Sequence, residues 1–143
     1  EIPPPSNDIE ADSILRVEKL LNLLESFDCF YIHLKGPDEP GHDGDFERKA
    51  HIIGVIDRFF FGKLLSKIDL KETLICVTAD HSTPCSLKAH SDDPVPLLIA
   101  GLNVEADGLK KFSESECKKG SLGMLQSGTK LVPMLMRLLK KRA

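Results

Sequence analysis

Five residues of this chain carry side chains suited to holding a divalent cation, and they fall in two short polar stretches. "KGPDEPGHDGD" places Asp38 and His42 four positions apart, while "ADHSTPCSLKAH" holds the adjacent Asp80 and His81 and ends on His90. Carboxylate oxygen and neutral imidazole nitrogen are donors that suit zinc and similar transition ions. A pair at i and i+4 reaches one ion from a single helical turn or a tight loop, and Pro40 and Gly41 favour a short element. The glycines of "PGHDG" also let backbone approach an ion closely. Asp80 and His81 cannot face the same way on an extended strand, so a bend must follow the strand if they are to serve one ion or two neighbouring ones.

Singly, neither pattern is specific, since D-x-x-x-H and "ADH" both occur by chance. His33 in "YIHL" reads as a strand residue with a satisfied hydrogen bond, and His51 as a helix-surface residue. Ser82 and Thr83 read as capping or turn residues before Pro84, not as nucleophiles. The weight lies in joint occurrence: both clusters follow short apolar runs rich in β-prone residues, and in open α/β sheets ligands bind beyond the carboxyl ends of strands.

The elements that must position these residues can be read from periodicity. Ile14, Leu15, Val17, Leu20, Leu21, Leu23, Leu24 and Phe27 recur with helical spacing, with Asp8 or Asp12 as candidate cap. A second helical pattern runs from Phe46 to about Lys67 through Ile52, Ile53, Val55, Ile56, Phe59, Phe60, Leu64 and Leu65. A third covers Gly128 to Arg142, with Pro133 tolerable only in its first turn. Phe30–Leu34, Leu74–Thr78 and Val95–Ile99 are expected as neighbouring central strands. Residues 103–127 read as loop with room for one strand. The order implies an α/β layer with an at least partly parallel sheet, and the near-continuous apolar strands imply cover on both faces. Residues 1–9, with three prolines, read as a linker-like entry, and 10–143 as part of one domain.

Composition excludes several classes. The chain has 143 residues, 41% hydrophobic and 29% charged, which is enough for one core of ordinary character. Its net charge is −3, and no basic run exceeds Lys140-Lys141-Arg142, which argues against nucleic acid or an anionic membrane as partner. No apolar stretch approaches the roughly 18 residues of a membrane span, and no signal-peptide pattern opens the sequence. Cys29 and Cys76 lie in apolar runs, Cys85 and Cys117 in polar ones, and no C-x-x-C pair exists. Reduced thiols and a cytoplasmic location are the expectation.

Three stretches together, "KGPDEPGHDGDFERK", "TADHSTPCSLKAHSDDPVPLLI" and "CKKGSLGMLQSGTKLVPMLM", resemble the cofactor-independent phosphoglycerate mutases of archaeal type, within the alkaline phosphatase superfamily. They cover most of residues 28–142 in the family's order and spacing. The resemblance implies an alkaline-phosphatase-like, mostly parallel sheet with helices on both faces, and two divalent ions drawn from manganese, cobalt, magnesium or zinc. It further implies that Asp38, His42 and His90 bind one ion, that Asp80 and His81 contribute to a second, and that the substrate is a phosphoglycerate. No stretch here matches the family's D-G-x-x-D opening, its nucleophilic serine or its substrate-clamping domain. Met124 and Gln126 also stand where related sequences often carry basic residues. The expectation is therefore a C-terminal portion, incomplete on the N-terminal side of its sheet, inactive alone and prone to self-association through the unpaired edge. The alternatives are another phosphotransferase or phosphatase of that superfamily, such as a phosphopentomutase or nucleotide phosphodiesterase, and a non-catalytic metal-binding module.

Overall fold

The computed structural model describes residue 4 and residues 6–102 and 104–140. The chain divides into two compact units, Glu1–Ile68 with Thr83–Ser91, and Asp69–Ser82 with Asp92–Ala143. The segment Thr83–Ser91 thus belongs with residues far upstream of it in sequence.

The first unit opens with helix α1, Ile9–Leu23. Of the two candidate caps it is Asp8 that serves, its carboxylate accepting from the Ala11 amide at 3.0 Å. Asp12 instead receives the Ser6 amide and hydroxyl at 2.8 and 3.0 Å, tying the entering chain to the first turns. The buried face comprises Asp12, Ser13, Arg16, Val17 and Leu20. Its polar members are satisfied locally: Ser13 donates to the Ile9 carbonyl at 2.7 Å and Arg16 to the Asp12 carbonyl at 3.0 Å. Leu15, Leu24 and Phe27, counted in the expected apolar stripe, are exposed.

The helix expected from Phe46 to Lys67 is built in three pieces: α3 (Phe46–Val55), a π-helical segment (Ile56–Phe61) and α4 (Gly62–Leu65). Its buried residues, Ile52, Ile56, Phe60 and Leu64, are spaced four apart throughout. In an ideal α-helix four residues overshoot one turn by about 40°, so three such steps would wind the stripe about 120° around the cylinder. The wider π turn, bonded i to i+5, rotates less per residue and so offsets part of that drift. Phe60, only 2% exposed, lies inside the π segment and is buried like the other three. With Val17 and Leu20 of α1 these four make up the buried apolar core among the described residues of this unit.

The second unit contains β1 (Leu74–Val77) and β2 (Leu98–Gly101), paired antiparallel with Leu74 opposite Gly101 and Val77 opposite Leu98. The pair departs from expectation in its direction and in where its second strand begins. The only strand pair among the described residues is not parallel: a parallel return needs a crossover, usually helical, and residues 78–97 contain none. The second strand begins at Leu98, not Val95, because Pro94 and Pro96 cannot donate to a ladder. The Thr78 hydroxyl instead donates to the Pro96 carbonyl at 3.0 Å. Phe30–Leu34 is not a strand either; it has no ladder partner among the described residues, and Tyr31 is 90% exposed.

Within 103–127 the described residues form no strand but a short helix α5, Glu114–Cys117, capped by Ser113 and acidic in its first turn. A 3-10 turn, Gly128–Lys130, capped by Ser127, leads into α6, Leu131–Lys140, with Pro133 in the first turn as its missing N–H requires. The expected extension to Arg142 lies outside the described residues. Among these residues no helix is long and apolar enough to cross a membrane.

Phe60→Ala removes the largest side chain from the stripe and is expected to cost about 3–5 kcal/mol, read as a lower urea midpoint. Gly101→Ala is expected to be comparably damaging, because at φ +100° its new Cβ would collide with the Thr73 carbonyl oxygen. A Phe60→Ala midpoint equal to wild type would contradict the packing described here.

Candidate metal centre

Helix α2, Asp38–Asp43, has just six residues, and its sequence shows why. Pro37 precedes it and Pro40 lies in its first turn, where no intrahelical N–H is required. Gly44 ends it in the left-handed conformation at φ +76°. Asp45 follows at once as the cap of α3, accepting from the Arg48 amide at 2.9 Å. Arg48 then reaches back to Glu39 at 2.8 Å and Asp43 at 3.2 Å, bracing the outer face of α2. Such exposed pairs contribute about 0–1 kcal/mol each. On one side of this single turn stand Asp38 and His42.

The segment 83–91 packs against that turn. The Pro84 carbonyl accepts from the Leu87 and Lys88 amides, both at 3.0 Å, which coils the segment. Lys88 is left-handed at φ +53°, unusual for a residue with a side chain. Its carbonyl lies 3.3 Å from His42 Nδ1. A carbonyl can only accept, so the neutral His42 ring carries its proton on Nδ1 and turns the Nε2 lone pair away from the backbone. Two residues on, His90 Nε2 lies 3.1 Å from His42 Nε2. Asp38 Oδ1 lies 3.5 Å from His42 Nε2 and 3.6 Å from His90 Nε2.

Those three separations have a chemical meaning. Donors on a tetrahedral shell with bonds of about 2.0–2.1 Å stand about 3.3–3.4 Å apart. The triangle of Asp38 oxygen and two imidazole nitrogens has edges of 3.1, 3.5 and 3.6 Å, all on exposed residues, so the donor set fits a small divalent cation with room for outside ligands. The Nδ1–H to carbonyl bond is the usual outer support of a metal-binding histidine. A second support comes from Thr83, whose hydroxyl donates to Asp38 Oδ1 at 2.6 Å.

Asp80 and His81 follow β1 in the second compact unit. The chain bends there: Asp80 Oδ1 accepts from the His81 amide at 3.1 Å, and His81 Nε2 stands 3.6 Å from Asp80 Oδ2. The two side chains therefore face each other, as a strand-end bend allows. His51 is an exposed residue of α3, as expected. His33 is not a strand residue but an exposed one outside any ladder. All four cysteines are free thiols, and burial pushes the Cys76 thiol up, away from thiolate chemistry.

Sequence reasoning missed two contributors. Thr83 is not a turn residue satisfied by its own backbone; it is 5% exposed and bonded to Asp38. The Lys88 carbonyl leaves no trace in a sequence, since every residue has one.

Residues 6–137 match a family described as the metalloenzyme superfamily. The chain belongs to that superfamily. Relatives of this chain include a 2,3-bisphosphoglycerate-independent phosphoglycerate mutase of Aeropyrum pernix, 43% identical over 85% of this chain and 29% of the relative. The enzyme of the same name from Pyrococcus abyssi is 39% identical over 95% of this chain and 33% of its own length. A solved structure of a Pyrococcus horikoshii protein superposes with a TM-score of 0.85 at 42% identity, covering 90% of this chain and 38% of that one. The chain thus spans about a third of the length of the curated relatives it matches.

The tight packing of α2 on 83–91 predicts a contrast between two glycines. A Cβ on Gly41 would lie 2.6 Å from the Thr83 carbonyl oxygen, whereas one on Gly54 in α3 would meet nothing within 4 Å. Gly41→Ala is expected to destabilise by about 1–3 kcal/mol through overpacking. Gly54→Ala is expected to stabilise by about 0.5–1 kcal/mol through helix propensity. Denaturant titration of both variants distinguishes these signs.

Proposed function

We propose that this chain is the metal-holding, C-terminal portion of a 2,3-bisphosphoglycerate-independent phosphoglycerate mutase, an isomerase that interconverts 3- and 2-phosphoglycerate. The observation that carries the reading is the convergence of Asp38, His42 and His90 at 3.1–3.6 Å, in a chain about 40% identical to proteins of that name. In this reading those three residues hold one divalent cation, and Asp80 and His81 supply ligands to a second. The two imidazole nitrogens favour a transition ion such as zinc, cobalt or manganese over magnesium, which prefers oxygen donors. A cation held there supplies positive charge that draws phosphoryl oxygens and screens charge spreading over them during transfer.

The work of the chain's own residues is orientation. Asp38 and His42 are fixed on one short helical turn, and His42 presents Nε2 because Nδ1 donates to the Lys88 carbonyl. His90 closes the triangle from the opposite segment. The nucleophilic serine and the substrate-clamping region are assigned to the part of the relatives that this chain does not span. The same assignment accounts for residues 30–34: this β-prone run is read as a strand of a mostly parallel sheet whose neighbour lies in that part. Residues 10–143 are read as one portion of the phosphatase-like domain, and the location as cytoplasmic. Nucleic acid and membrane are not partners in this reading, and the unpaired 30–34 run gives the isolated chain a route to self-association.

Calorimetric titration with manganese and zinc tests the metal reading. Wild type is expected to bind one cation with His42→Ala at least about tenfold weaker, because outer partners alone change affinity by about 10–100-fold. Equal affinity in the two proteins would refute the assignment. A coupled mutase assay tests the activity: the isolated chain is expected to be silent, since transfer requires a nucleophile held about 3 Å from phosphorus. Turnover by the chain alone would mean that the nucleophile has been placed in the wrong part of the protein.

A further inference from the structure

We infer that Thr83 and Lys49 are positioning residues of the metal centre, acting on it through the Asp38 carboxylate. The inference rests on the metal-binding reading of Asp38, His42 and His90. Its starting point is a relay of two short bonds across three parts of the chain. The Lys49 ammonium of α3 donates to the Thr83 backbone carbonyl at 2.6 Å, and the Thr83 hydroxyl donates to Asp38 Oδ1 at 2.6 Å.

The relay answers a specific difficulty. Asp38 has a half-exposed side chain, 51% accessible to water. An exposed carboxylate that must be fixed on a cation loses freedom, which costs entropy at the moment of binding. Thr83 removes that freedom in advance. It is itself buried, so its hydroxyl has little room to move, and 2.6 Å is the length of a charge-assisted O–H to carboxylate bond. The hydroxyl occupies a single lone pair of Oδ1, and a carboxylate has several with which to meet a cation.

Lys49 holds the threonine in turn. Its Nζ lies where a Cβ on Gly41 would come within 3.0 Å, so the ammonium sits directly against α2 while bonded to the facing segment. It therefore clamps Thr83 at a fixed height over the turn that carries Asp38 and His42. Neither residue touches the reacting phosphate in this scheme; both act by aiming a ligand.

The test is calorimetric titration of the whole 143-residue chain with manganese and with zinc, beside thermal melting without metal. Thr83→Val keeps the shape but loses the donor and is expected to bind about 10–100-fold more weakly. Thr83→Ser keeps the donor and is expected to restore affinity to within a few-fold of wild type. Lys49→Met is expected to weaken binding, and the double variant to be no weaker than Thr83→Val alone, because both act on one path. A role in packing alone would lower the melting temperature of Thr83→Val and leave its affinity intact, which overturns the proposal. Affinity in Thr83→Ser as poor as in Thr83→Val also overturns it. If Thr83→Val does not fold, Lys49→Met decides, and wild-type affinity there is fatal. Wild-type affinity in His42→Ala defeats the metal-centre reading and this inference with it. Loss in His42→Ala with no change in Thr83→Val or Lys49→Met defeats this inference alone.

Discussion

The close approach of two backbones at Gly41 and Thr83 is the contact on which the site depends. With hydrogen in place of a side chain, α2 can lie against the Thr83 carbonyl, and that proximity brings the Asp38–His42 face within reach of His90. Every other feature of the centre follows from it: the Lys88 carbonyl meets His42, the Thr83 hydroxyl meets Asp38, and Lys49 bridges across the seam. A methyl group at position 41 would wedge apart the closest approach of α2 to the Thr83 backbone.

The long helical stretch provides the other constraint in that unit. Its four-residue spacing of Ile52, Ile56, Phe60 and Leu64 would drift about 120° around a straight α-helix. The π segment reconciles spacing with burial, and the stripe closes on Val17 and Leu20 of α1. Since α3 begins two residues after Gly44, the packing of this stripe also sets where α2 must stand. Core and site are therefore not independent. Residues that touch no candidate ligand still decide where the ligands are.

Much of the local structure was legible in the sequence because it depends on near neighbours. The three main helices follow from apolar periodicity, the brevity of the element at 38–43 from Pro40 and Gly41, and the first-turn place of Pro133 from its missing N–H. β1 follows from a β-prone apolar run. The run at 30–34 has the same composition and forms no strand, because a strand is defined by a partner and composition cannot supply one. The same limit applies to the direction of the β1–β2 pair, which depends on how residues 78–97 return. The buried face of α1 was likewise misjudged: hydropathy points to Leu15 and Leu24, yet Ser13 and Arg16 are buried because their polar atoms bond to carbonyls four residues back.

For the candidate centre the division is similar. Donor chemistry belongs to side chains, so Asp38, His42, Asp80, His81 and His90 could be named from the sequence; the i, i+4 relation of the first two allowed a helical turn or a tight loop, and the structure shows the short helix α2. That His90 joins Asp38 and His42 was a matter of family resemblance until distances between elements were known. The supporting bonds could not be read at all. One uses a main-chain carbonyl that any residue would offer, and another uses a threonine whose partner lies 45 positions away. Sequence alone determined which atoms are able to bind a cation, because that is a property of residue type. Only the tertiary structure decided which of them meet and in what tautomer and rotamer, because those depend on backbone contacts between segments distant along the chain.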